Sequence, residues 1–117
     1  MRKRHLEIFE DWGKFRANTK YDSVWTDGYS IYSYTTCILA YTDDDDFIFN
    51  ATKYTHTTTE IQNNLLNYIH AELFPYPPSA TVCNAPKGIT AEELRGMVPP
   101  QSPLTDYIAT FYNTAAT

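Results

Sequence analysis

No stretch of this sequence approaches the ~20 consecutive apolar residues that a membrane-spanning helix needs, which excludes a span of that kind. Cysteine is scarce. Two in 117 residues, Cys37 within an apolar run and Cys83 in a proline-bearing stretch, make no disulfide framework and are expected as free thiols. Positive charge is also short: nine Lys and Arg face 14 Asp and Glu, for a net charge of −5 and a pI near 5.0. That sign argues against broad binding of a nucleic-acid backbone. With four glycines and no Gly-rich loop ahead of a helix, there is no phosphate cradle. His5, His56 and His70 lie too far apart for a local metal site and are expected at helix caps or on the surface, so neither metal nor cofactor is expected. Met1-Arg2-Lys3-Arg4-His5 begins positively. Glu7, Glu10 and Asp11 then interrupt the apolar region a signal peptide requires, so a cytoplasmic protein without membrane association is expected.

What is abundant is tyrosine, ten in all, within an aromatic content of 15%. Tyrosine buries a ring while its hydroxyl seeks a partner, so an excess suits wet-edged cores or recognition surfaces. The densest stretch runs from Tyr29 to Tyr41, aromatic and β-branched throughout and free of Gly and Pro, which predicts one long strand. The acidic run Asp43, Asp44, Asp45 and Asp46 then supplies turn chemistry, and Phe47 to Tyr54 returns antiparallel. Periodicity next switches from two to 3.6. Thr57 with Glu60 has the form of a capping box, and Ile61, Leu65, Tyr68, Ile69 and Leu73 make a stripe that should lie on the sheet, with Gln62, Asn63, Asn64 and Asn67 turned away. Pro75-Tyr76-Pro77-Pro78 ends that helix.

The run Tyr32-Ser33-Tyr34-Thr35-Thr36, then Asn50-Ala51-Thr52-Lys53-Tyr54, then Thr57-Thr58 heading a helix resembles a small uncharacterised domain of phage, plasmid and related mobile-element proteins, over about residues 25 to 70. That family often places a histidine one turn into the helix, where this chain has Ile61. The resemblance therefore implies no histidine-based role and brings no activity with it. What it implies is a mobile-element context, hence the cytoplasm of a host cell.

Around this unit, Leu6, Ile8, Phe9, Trp12 and Phe15 predict an amphipathic first helix over 3–16. Tyr21 to Thr26 reads as a short strand turned by Asp27-Gly28. Residues 79–88 read as a loop or an extended edge, Thr90 and Glu93 as a second capping box, and Ser102-Pro103 as the start of a last helix to about Tyr112, followed by a frayed tail. The expected architecture is a single α+β domain: a small antiparallel sheet, about a three-strand meander, packed by a central helix with N- and C-terminal helices. Its core unit is 20–73 and its helical and loop extension 74–117.

Three functions stay open. The first is a non-enzymatic protein-interaction module, acidic and Tyr-rich, using Asp43, Asp44, Asp45, Asp46, Tyr29, Tyr32 and Tyr34; the mobile-element resemblance makes an inhibitor of a host defence or nucleic-acid-handling complex its specific form. The second is a single-strand nucleic-acid binder that stacks bases on the same tyrosines. The third is a small enzyme, for which Cys37 with His56 or His70 is the nearest thing to a nucleophile and base. Self-association is compatible with all three. Asn50-Ala51-Thr52 matches a glycosylation acceptor, which a cytoplasmic chain does not use.

Overall fold

In the computed structural model, residues 1–42, 46–73, 80–97 and 102–116 are described, with side chains as far as 112 in the last segment. Asp43 to Asp45 and Pro75 to Pro78 lie outside the described residues. The order is α1 (Lys3–Gly13), β1 (Ala17–Asn18), β2 (Trp25–Asp27), β3 (Ser30–Ser33), β4 (Thr36–Tyr41), β5 (Phe47–Asn50), α2 (His56–Glu72), β6 (Thr81–Cys83), α3 (Ala91–Arg95), β7 (Ser102–Pro103) and α4 (Leu104–Ala116).

The α+β class stands, but the three-strand meander is corrected: among the described residues one seven-stranded sheet runs in the order β1 to β7. Every neighbouring pair is antiparallel except β5 and β6, which are parallel and joined through α2. A parallel pair needs such a crossover. The expected long strand 29–41 is in fact a hairpin. Its turn is Tyr34-Thr35, with Ser33 opposite Thr36 and Tyr34 at a left-handed φ of 55°. Neither residue carries turn chemistry; Trp25 holds the corner by donating its indole N–H to the Tyr34 carbonyl at 2.7 Å.

A bulge in β4 then sets which side chains meet which layer. Ile31 pairs with Leu39 and Tyr32 with Cys37, leaving Ile38 as the extra residue. Ile38 and Leu39 therefore both serve one core, while Cys37 joins the opposite one. On the first face, Ile31, Ile38, Leu39, Phe47 and Phe49 pack against Ile8, Phe9 and Trp12 of α1, Ile61, Leu65 and Ile69 of α2, and Leu104 and Ile108 of α4. Burying each such aliphatic side chain is worth about 1.5–3 kcal/mol before entropy is counted. On the second face Cys37, Ala40, Ile48 and Cys83 are covered by Ile89, Ala91 and Leu94. The outer strands β1 and β7 are two residues each, and β7 contains a proline, which leaves little edge for another chain to pair with.

The helix ends depart from expectation in instructive ways. Thr55, not Thr57, caps α2 by accepting from Thr58 N–H, so Glu60 falls outside the box and binds Arg2 at 2.5 Å instead. Thr90 and Glu93 do form the expected capping box on α3. The last helix runs to Ala116 rather than fraying after Tyr112.

Candidate interaction surface

Of the seven candidate residues, Asp43, Asp44 and Asp45 lie outside the described residues, while Asp46 is half-buried and accepts Thr42 N–H through its carbonyl at 2.7 Å. Tyr29 and Tyr34 are exposed and stand beyond opposite ends of β3. Tyr32, between them, faces the second layer. Trp25 stacks flat on its ring at 4.2 Å and 5°, and its hydroxyl accepts Ala91 N–H at 3.2 Å. Burial raises this phenol's pKa. Both its ring and its hydroxyl are thus engaged inside the fold. The three tyrosines are not laid out as one row.

What surrounds Tyr29 was not visible in the sequence. Helix α1 ends in a six-to-one closure: Arg16 N–H bonds the Asp11 carbonyl at 2.8 Å and Phe15 N–H bonds the Trp12 carbonyl at 3.1 Å. This geometry puts the residue after the cap in the left-handed region, a place glycine usually takes. Here it is Phe15, at φ 55° and 55% exposed. Its ring stacks on Tyr41 at 4.9 Å, Tyr41 stacks on buried Trp12 at 4.4 Å, and Tyr29, 57% exposed, leans against Phe15 at 6.3 Å. Trp12 also donates its indole N–H to the Tyr29 carbonyl at 3.2 Å, and Asp27 accepts the Tyr29 and Ser30 N–H groups. The result is an aromatic step, rigid at its base and open at its top. It stands at the end of β4, where Tyr41 N–H bonds the Tyr29 carbonyl at 2.9 Å.

Several of the residues that carried the family resemblance make polar contacts between strands, loops and α2. Asn50, fully buried, donates to the Cys37 carbonyl at 3.1 Å and the Tyr54 hydroxyl at 2.9 Å, and Tyr54 donates to the Ala85 carbonyl. Ser33 and Thr58 share a hydrogen bond of 2.7 Å, and Thr36 accepts Gly88 N–H at 2.9 Å. These groups fasten the crossover to both layers. A buried Asn50 is no acceptor for a glycan in the folded chain.

Gln62 corrects the expectation that it faces outward. It is 3% exposed and donates to the Asn50 and Thr52 carbonyls at 2.7 and 3.0 Å. The cysteines are free and buried. Desolvation pushes the Cys37 thiol to about 12 and the Cys83 thiol to about 11, and His56 and His70 sit exposed at the two ends of α2, so no thiolate–imidazole pair is assembled. At pH 8 fewer than roughly one Cys37 in 10³ is thiolate. Iodoacetamide should therefore label the native protein far more slowly than the urea-unfolded chain, and equal rates would refute the burial. Among the described residues no three His, Cys, Asp or Glu side chains are grouped to hold a metal.

His5 is a second correction, since it is 3% exposed rather than on the surface. Asn64 donates its amide N–H to His5 Nδ1 at 2.9 Å, which requires that nitrogen to be unprotonated. Desolvation depresses the imidazole's pKa; Glu60 opposes that, and Arg2, Arg4 and the N-terminus add to it. The unfolded chain therefore takes up the proton first, near pH 6.5. The stability held by neutral His5 is complete above that pH and is lost as pH falls toward the depressed folded value. Urea midpoints measured from pH 7.5 to 5 should fall in the native protein and fall less in His5→Gln; parallel curves would refute this account.

No family model, curated protein or solved structure matches the chain.

Proposed function

We propose that the chain is a protein-interaction module that docks a partner on the aromatic step of Phe15, Tyr29 and Tyr41. The observation that carries the reading is Phe15, a large apolar side chain in a backbone conformation glycine adopts at less cost, with more than half its surface in water. Strain of this kind persists where the surroundings impose it and is concentrated at functional sites. Interface hot spots are rigid aromatics in this style, anchored at the base so that little side-chain entropy remains to be lost. In this reading the chain performs no reaction of its own. Its specific form, following the resemblance to mobile-element proteins, is an inhibitor of a host defence or nucleic-acid-handling complex.

The test is affinity capture from the native host with the wild-type chain and with a Phe15→Gly/Tyr29→Ala variant, read by mass spectrometry. A companion retained by the first and lost by the second supports the proposal, and its identity tests the inhibitor form. No specific companion, or one held equally by both, overturns it.

A further inference from the structure

Between them α1 and α2 leave a groove of about 390 Å³, lined in part by Gly13 and Lys14, the two residues ahead of Phe15. Leu6 and Leu73 give it apolar walls, and Glu10 and Glu72 place a carboxylate on each helix. Its floor is Tyr68, which is 8% exposed, with its ring tilted against Phe9 at 5.6 Å. Gly13 leaves the phenol uncovered: a Cβ there would stand 3.4 Å from the hydroxyl. Among the described residues that hydroxyl has no hydrogen-bond partner, and neither Glu10 nor Glu72 has an ion-pair partner. Burial first, then Glu10 and Glu72, hold the phenol's pKa above its ordinary value, which puts both carboxylates within electrostatic reach of the hydroxyl.

A phenol with its ring buried and its hydroxyl opening on the groove, and two carboxylates without ion-pair partners, face one space with apolar sides and specify a ligand that is cationic, rich in donors and carried on an apolar stem. A guanidinium has five N–H donors in a planar fork able to serve two carboxylates together; an ammonium acts as a point charge. We propose that the groove receives an arginine side chain from a basic partner protein, its stem against Leu6 and Leu73, its head between Glu10 and Glu72, and one N–H on the Tyr68 oxygen. This names the partner chemistry for the docking surface proposed above and rests on that reading. The chain's net charge of −5 favours such a partner from a distance. Lys14 lines the same groove without an ion pair to either carboxylate, so its charge opposes the entry of a second cation.

The experiment is a ¹⁵N-detected amide titration of the full chain with the peptide acetyl-Gly-Arg-Gly-amide, with the citrulline peptide as its uncharged isostere. Shifts confined to the amides of Leu6, Glu10, Gly13, Tyr68, Glu72 and Leu73 are expected with arginine and not with citrulline. Glu10→Gln and Glu72→Gln, both at exposed positions, should each weaken the response by about tenfold, Tyr68→Phe should weaken it less, and Lys14→Ala should strengthen it. Scattered or absent shifts, an equal response to citrulline, or indifference to the two Gln variants overturns the proposal. If a captured partner still depends on Phe15 and Tyr29 while the peptide gives no localised shift, the groove assignment fails and the docking reading survives.

Discussion

Phe15→Gly should leave the fold about as stable as the native chain while removing at least ~30-fold of its affinity for the partner. The two halves of this expectation have different origins. Glycine at the closure of α1 releases the left-handed strain of a side chain at φ 55°, worth about 1–2 kcal/mol. It also forfeits the stack on Tyr41, worth about 0.5–1.5 kcal/mol, and adds backbone entropy to the unfolded chain. These nearly cancel, so the urea midpoint should move by no more than ~1 kcal/mol in free energy. Binding has no such compensation, because truncating an aromatic hot spot costs 2 kcal/mol or more and the docking proposal makes this ring the contact. Tyr29→Ala should lose affinity in the same way, since its backbone is held through groups that survive the change: its carbonyl by Trp12 and Tyr41, its N–H by Asp27. A Phe15→Gly protein that loses more than ~2 kcal/mol of stability would make the ring a structural strut. One that binds normally would remove the aromatic step from function.

The parts of this fold that were readable in the sequence are those decided by local chemistry. Ile61, Leu65 and Ile69 repeat at helical spacing and do line the core; Thr90 and Glu93 sit three apart and do cap α3; Asp27-Gly28 does turn a hairpin, with Gly28 at φ 95°. What was hidden is what distant residues decide. Tyr34-Thr35 turns because Trp25 reaches it from another strand. Cys37 changes layer because Ile38 bulges, and no count in twos survives a bulge. Thr81 to Cys83 is too short to show periodicity, and it becomes a strand only because α2 carries the chain back to lie beside β5. Gln62 and His5 look like surface residues by type and are buried because Asn50, Thr52 and Asn64 supply partners.

The site follows the same division. Tyr29 was singled out by composition and does stand exposed at the aromatic step, but Phe15 was read only as one more apolar residue of the first helix. The signal available was the sequence Gly13-Lys14-Phe15: a glycine two positions too early to be the left-handed residue leaves an aromatic to fill that role. The groove joins residues about 60 positions apart, Leu6 and Glu10 with Tyr68 and Glu72, and such convergence has no local trace.

The steepest loss of stability should come from Gln62→Glu, a change of one atom type with no change of shape. Gln62 Nε2 gives both its protons to backbone carbonyls, of Asn50 at 2.7 Å and Thr52 at 3.0 Å, at the point where β5 hands over to α2. Those carbonyls cannot donate. A carboxylate there would set an acceptor against two acceptors in a site that is 3% exposed, and the remaining oxygen fares no better, since Oε1 has no partner among the described residues. Leaving buried acceptors unmatched costs about 1–3 kcal/mol each, and more where a charge is involved, so a total of about 4 kcal/mol is expected at neutral pH. The carboxyl escapes part of this by staying protonated, which raises its folded pKa above the unfolded value near 4.3. The sign then follows: between those two values the native state holds the proton that the unfolded state has released, so stability falls as pH rises through the window and levels off above the raised pKa. Gln62→Glu should therefore approach the native protein below about pH 4 and diverge from it by neutrality, in the opposite sense to the His5 effect. Gln62→Leu, which also strands both carbonyls but carries no titrating group, should be destabilised by a similar order with no added pH dependence. A Gln62→Glu protein whose deficit is constant with pH would mean that the side chain has swung out to solvent, and that the crossover from β5 to β6 does not depend on this amide.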